Sequence, residues 1–347
     1  MKVFGYLFAF FPALLFWISL HAEGIGAWIC VAVVFGVIPV LEWIIGVKSS
    51  QLTPEQMELR AEDKRFDWVL YALVPTQWFL LLYYGGVFSE IPFQDWGFSE
   101  WGKVVGMGIL CGSYGINVAH ELGHRTNKWE QRLAQSLLLS SLYMHFFIEH
   151  NRGHHKQVAT PEDPSTARLN EPVQLFWFRS MYQTWTKSWK LEFERLKRNN
   201  LSPWHPSNQM LQFQLIQLGY LGVVFFLFGG NGLTALVFAA LIGAILLETI
   251  NYIEHYGLLR KKESNGYYER VETHHSWNSN HIIGRLLLFE LSRHSDHHYK
   301  SHKKYQELES ASNAPQMPTG YPGMMVLSII FPLWFWIMNR RVAQFNS

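Results

Sequence analysis

Six apolar segments constrain this chain more than anything else in it. They cover about residues 3–22, 25–47, 68–88, 103–119, 211–228 and 233–252. Each approaches the roughly 20 residues that a helix needs to cross a bilayer. In hydrocarbon every backbone N–H and C=O must be satisfied within the segment, so such runs fold as helices. Pro12, Pro39 and Pro75 fall inside them, which membrane helices tolerate. The 347 residues are 49% hydrophobic and only 16% charged, against about 25% charged in ordinary soluble domains. The expectation is an all-α integral membrane protein, one domain over 1–347, with a six-helix transmembrane bundle. The first run resembles a signal peptide in position. It carries only Lys2 ahead of it and a second run follows almost at once, so a retained helix is expected.

The connections set a topology. The loop 48–67 carries Lys48, Arg60, Lys64 and Arg65, whereas 21–24, 89–102 and 229–232 contain no Lys or Arg. The positive-inside rule then places both termini in the cytoplasm, with the long stretches 120–210 and 253–347 on that side. Two further apolar runs lie within them. Run 133–148 is expected as a buried or re-entrant helix, and 321–338, with Pro322 and Pro332, as a segment at the interface or packed on the cytoplasmic part.

Histidines cluster on that same side. His120 and His124 lie one helical turn apart, His150, His154 and His155 follow, and His294, His297 and His298 form a third group. Spacings of three and four share a helix face, and neutral imidazoles pointing one way are metal ligands. Adjacent pairs, His154-His155 and His297-His298, cannot easily serve one ion from one face but can serve two neighbouring ions. His255, which shares a helix face with Asn251 and Glu248, is a ninth candidate. His274 and His275 are candidates for a tenth ligand or for a supporting role. His21, His145, His205, His281 and His302 stand apart. His120-Glu121-Leu122-Gly123-His124 also satisfies the zinc-protease pattern H-E-x-x-H, but the many other clustered histidines do not suit that reading. Imidazoles alone suit iron, zinc, copper or nickel. Glu121, Glu149, Glu254 and Asp296 each neighbour a ligand and are candidates to balance charge or orient a ring.

Cys30 and Cys111 both sit in apolar runs, as small core residues would. Two cysteines cannot supply the four thiolates of a rubredoxin-type centre, and no dinucleotide fingerprint is evident. Electrons, if needed, come from another chain.

Five motifs in order carry a resemblance: HELGHR (120–125), EHNRGHH (149–155), NYIEHYGLLR (251–260), HSWNSN (275–280) and RHSDHH (293–298). Together they resemble the membrane alkane 1-monooxygenases, within the superfamily that also holds xylene monooxygenase and the fatty acyl desaturases. The resemblance implies a non-haem centre of two Fe ions held by His120, His124, His150, His154, His155, His255, His294, His297 and His298. It implies O2-dependent hydroxylation of n-alkanes to 1-alkanols, with electrons from rubredoxin and rubredoxin reductase, at the cytoplasmic face of a bacterial inner membrane. Where the family more often has Asp, this chain has Glu42. Arg152, Lys156, Arg260, Lys261 and Lys262 are candidates to steer an acidic redox partner. An acyl-lipid desaturase or hydroxylase, a xylene-type methyl monooxygenase, and a histidine-rich metal transporter are the competing readings.

Overall fold

The computed structural model describes residues 3–48 and 51–345. Among these the regular structure is helical, with only isolated bridges such as Val47 to His281 and Asn278 to Gln316. Helix α1 (Val3–Leu20) and helix α2 (Gly24–Ile45) are each long and apolar enough to cross a membrane. A short helix α3 (Pro54–Glu62) follows, opened by a Thr53–Gln56 capping box. Helix α4 (Arg65–Ser89) and helix α5 (98–123) come next. Helix α9 (Gln209–His255) is also apolar and long enough to cross. It breaks at Gly229, whose φ of 62° an L side chain rarely adopts. Gln214 and Gln217 before the break line one cavity with Val237, Ala240 and Leu241 after it, so the chain doubles back as a helical hairpin.

Small residues bring α5 and the second limb of α9 together. A Cβ on Gly108 would lie 2.3 Å from Ile242 Cγ2, and one on Gly243 would lie 2.6 Å from Cys111 Cβ. Glycines four apart on α5, Gly108 and Gly112, meeting Gly243 are the close-approach pattern of packed membrane helices. Both cysteines are free and buried. Twelve residues beyond Gly108 comes His120, and twelve beyond Gly243 comes His255. The tight crossing therefore carries two histidines to the same end of the bundle.

The apolar run 133–148 is not one helix. Helix α6 (Lys128–Ser140) ends in a turn where Leu142 has φ 51°, and helix α7 (146–157) starts anew. One face of α6, with Ala134, Leu137 and Leu138, is buried, and Ser141 Oγ after it donates to Cys111 O of α5 at 3.0 Å. The run 321–338 is likewise divided, into α13 (Tyr321–Ile329) and α14 (Phe331–Val342), once the elements between are placed. Those are helix α8 (Val173–Arg198), helix α11 (Ile282–Leu287) and helix α12 (His294–Tyr299); α10 is the single 3-10 turn Thr273–His275. Ile330 leaves helical geometry, and Pro332 sits in the first turn of α14, where its missing N–H costs nothing. Trp334 and Met338 are buried in a second apolar core with Tyr252, Tyr256 and Trp277. The segment thus packs on the histidine-bearing end, one of the two placements expected for it.

Two buried carboxylates lock this end to the bundle. Glu42 of α2 accepts from Gly284 N at 2.8 Å, and its carboxylate lies so close to Gly320 that any Cβ there would meet it at 1.9 Å. Glu290 accepts from Tyr6 Oη at 2.7 Å and pairs with Arg285 at 2.7 Å.

Candidate metal centre

Four elements deliver the histidines. The ends of α5 and α9, helix α7 and helix α12 converge, and nine ring nitrogens fall into two groups. One comprises His120, His124, His150, His155 and His297; the other His154, His255, His294 and His298. The adjacent pairs His154-His155 and His297-His298 are each divided between the groups.

Helix α7 explains the division. Residues His150–His154 form a π turn, whose i→i+5 hydrogen bonding sets residues five apart on one face. His150 therefore joins His155, where ideal α geometry would have paired it with His154. Helix α5 likewise passes through a π stretch, Cys111–Val118, just before His120. Helix α12 keeps α geometry, so His294 and His298, four apart, enter the same group.

In the five-membered group the Nε2 atoms close a ring. His120 to His297 is 3.0 Å, His297 to His155 3.1 Å, His155 to His150 3.0 Å, His150 to His124 3.0 Å and His124 to His120 3.3 Å. A neutral imidazole offers one N–H and one lone pair, so an odd ring cannot alternate donors and acceptors. Hydrogen bonding among themselves cannot satisfy these five atoms. A cation can: two nitrogens bound at right angles with bonds of about 2.1 Å lie about 3 Å apart. The second group repeats the spacing, with His154 to His298 at 3.2 Å, His298 to His294 at 2.8 Å and His294 to His255 at 3.1 Å. The donor sets fit two metal ions side by side.

Electrostatics keep the rings in ligand form. Burial first, and then the neighbouring imidazoles, push His120, His150, His155 and His297 below the ordinary histidine value, and His124 down to about 3. His255, His294 and His298 are lowered for the same reasons. His154 differs. Burial opposes its charged form, but Asp163 outweighs that and raises it. His154 Nδ1 donates to Asp163 Oδ2 at 2.9 Å, which leaves Nε2 for the metal side.

The carboxylates singled out in the sequence are spread around the centre. Glu254 Oε2 lies 3.3 Å from His294 Nε2, and its Oε1 accepts from Tyr321 at 2.7 Å. Glu149 pairs with Lys187 at 2.9 Å. Glu121 binds Arg125 at 2.8 Å and accepts from Tyr305 N. Asp296 holds Lys303 at 2.7 Å and accepts from Glu309 N. Asp163, eight residues past His155, has no spacing signature that sequence reasoning could use. His274 and His275 lie in a separate group with Glu269. There the His275 ring is already engaged, accepting from Glu272 N at Nδ1 and meeting Glu269 at Nε2.

A narrow apolar cavity of about 60 Å³ runs beneath the centre. Gly112 and Ser113 of α5 line one side, and Leu246, Leu247 and Ile250 of α9 another, with Phe35 of α2 between. Leu288 closes the end toward Asn117, which donates to its carbonyl one turn before His120.

Comparison with known proteins agrees with this architecture. Residues 100–328 match the fatty acid desaturase family model. The alkane 1-monooxygenase 2 of Pseudomonas aeruginosa is 36% identical, aligned over 96% of this chain and 89% of its own. The alkane 1-monooxygenase of Pseudomonas putida is 36% identical over 100% of this chain and 86% of its own. This chain belongs to the alkane 1-monooxygenase family. The xylene/toluene monooxygenase hydroxylase component of Pseudomonas putida is a more distant relative, 32% identical over 69% of this chain and 63% of its own. The family model takes in all nine clustered histidines, from His120 to His298, together with Asp163 and Glu254.

Proposed function

We propose that this member of the alkane 1-monooxygenase family hydroxylates n-alkanes at the terminal carbon, using O2, at a centre of two iron ions held by the nine histidines. The observation that carries this reading is the pair of buried imidazole groups, with a narrow apolar cavity that ends at Leu288, whose carbonyl accepts from Asn117 one turn before His120. When bound, iron supplies the oxidising power that an unactivated C–H bond demands and that acid–base side chains lack.

The protein's own residues do the rest. The apolar walls at Val34, Phe35, Ile109 and Leu247 exclude water and admit an unbranched chain end-on, so a terminal methyl leads. Asp163 orients His154 through Nδ1, and Glu254, held by Tyr321, lies 3.3 Å from the inward Nε2 of His294, where its carboxylate balances the positive charge of two ions. We place six membrane spans at the helices occupying the six apolar segments. The positive-inside pattern puts the centre on the cytoplasmic side of the inner membrane. There Lys156, Lys261 and Lys262 are exposed around Arg260, which donates to Lys156 O at 3.2 Å. That patch suits an acidic electron donor such as a rubredoxin, itself reduced by its reductase. Arg152 is turned away from it, paired with Glu192 at 2.8 Å.

The test is purified protein in detergent, assayed for iron and supplied with octane, hexadecane, xylene and an acyl lipid beside a reduced rubredoxin. About two irons per chain and 1-alkanol from the alkanes support the proposal. New double bonds only, methyl oxidation of xylene only, or an iron-free active protein would overturn it.

A further inference from the structure

A second cavity, of about 480 Å³, opens on the other side of the centre, between α8, the loop before α7 and both limbs of the α9 hairpin. Its chemistry is unlike that of the apolar slot. One wall is Met181, Val237, Ala240, Leu241 and Ala244; the other presents Tyr143, His145, Gln214 and Gln217. His145 is 6% exposed, and its Nε2 and the Gln214 Nε2 are buried without a hydrogen-bond partner. Burial pushes His145 down to about 3, so its ring is neutral and offers one donor and one acceptor. Among the described residues lining this cavity none is Lys, Arg, Asp or Glu. An anionic head would find no counter-charge there, and neither would a cationic one. The pocket suits an amphiphile with one uncharged polar group and a single apolar chain.

Its position fits such a ligand. Tyr182 and Trp185 line the mouth and stand 69% and 41% exposed on the outer face of α8, in helical register with exposed Leu175 and Phe178. An aromatic, apolar helix face of this kind belongs at a membrane–water interface. Toward the centre Phe146 bridges the cavity wall and a candidate ligand. Phe146 lies 6.4 Å from the Tyr143 ring and stacks on His150 at 4.7 Å.

We propose that this cavity binds a long-chain primary alcohol, its hydroxyl held at His145 and Gln214 and its chain laid along Met181, Val237 and Leu241. The assignment of an alcohol rests on terminal hydroxylation being the reaction of the centre, since that reaction delivers this class of molecule. The cavity then serves as a station between the centre and the interface, separate from the slot that admits alkane.

The test uses iron-loaded full-length protein in detergent micelles and a photoreactive diazirine analogue of 1-dodecanol, with labelled peptides read by mass spectrometry. Label is expected on peptides carrying Met181–Trp185 and Val237–Ala244. Excess 1-dodecanol should suppress it, and dodecane or dodecanoate should not. Gln214→Leu should reduce that label roughly fivefold, the worth of one buried neutral hydrogen bond, and Met181→Trp, which fills the cavity, should abolish it. Iron content and the unfolding midpoint of each variant establish that it is folded. Label absent from these peptides, suppressed equally by dodecane, or unchanged in both folded variants would overturn the site. Alkane turnover is measured on the same preparation. Protein that labels as expected yet makes no alkanol overturns the reaction proposed above and leaves the binding site standing.

Discussion

His154 Nδ1 and Asp163 Oδ2 are 2.9 Å apart, both fully enclosed, and the opposite ring nitrogen of His154 faces His298 at 3.2 Å. One carboxylate thus fixes the tautomer and the direction of an imidazole whose Nε2 faces the second histidine group. Burial resists ionisation of Asp163, but His154 and then Lys187 more than offset it and hold the carboxyl well below its usual value. Asp163→Asn keeps the shape and removes the charge. Metal affinity or turnover should fall about 10- to 100-fold, as for other carboxylates behind a ligand histidine. Iron retention after dialysis, with kcat on an alkane, would check it; wild-type values in both would refute the orienting role.

The two imidazole groups predict separable losses. His297→Ala removes one of five nitrogens in the first group and none in the second. His298→Ala removes one of four in the second. Each variant should lose about half the bound iron and nearly all turnover, with different ions affected. Mössbauer spectra of the two variants should differ from one another. Identical spectra, with both ions lost together, would mean the groups act as one site.

Acid should destabilise the metal-stripped protein. Eight of the nine rings are held below their ordinary value, chiefly by burial. In the unfolded chain the same rings take up protons near pH 6.5. The unfolded state therefore binds more protons on acidification, and stability falls as pH drops below about 6.5. His154, raised by Asp163, runs the other way and offsets a part of this. The unfolding midpoint in detergent between pH 8 and pH 5 reads the sign; a midpoint that rises toward pH 5 would contradict the burial of neutral rings.

The helix crossing predicts a packing penalty. Gly108→Val would drive a side chain into Ile242, where even a Cβ sits 2.3 Å from its Cγ2. Overpacking of this kind costs about 1–3 kcal/mol. It should also part the ends of α5 and α9, so that iron content falls with stability. A variant as stable and as iron-rich as wild type would show that the crossing does not position His120 and His255.

The apolar slot predicts a change in preference. Ser113 lines it, and Ser113→Phe would shorten the space available to a chain. Turnover should shift from hexadecane toward octane with iron unchanged, read as the ratio of kcat/KM values. An unaltered ratio would place the alkane elsewhere.

Much of this protein is legible in its linear order, because the relevant physics is local. Apolar runs long enough to need internal hydrogen bonding become helices, and structure places a helix at each of the six segments. Histidines three or four apart share a face, so the candidate ligands stand out before any folding is known. Cys30 and Cys111, in apolar runs, are buried and unpaired.

Other features depend on contacts between distant parts of the chain. Whether His150 sides with His154 or with His155 turns on one π turn, against which Lys187 and Leu191 of α8 pack closely at Gly153. Asp163 reaches His154 through a loop with no periodicity to betray it. Apolar runs 133–148 and 321–338 read as continuous until Leu142 and Ile330 leave helical geometry under the demands of their neighbours. Residue identity and spacing name the groups able to bind a metal. Which of them face one another, and which carboxylate stands behind a ring, is decided by side chains meeting in space, His120 with His297 across 177 residues and His154 with Asp163 through an irregular loop, where local preference carries no information.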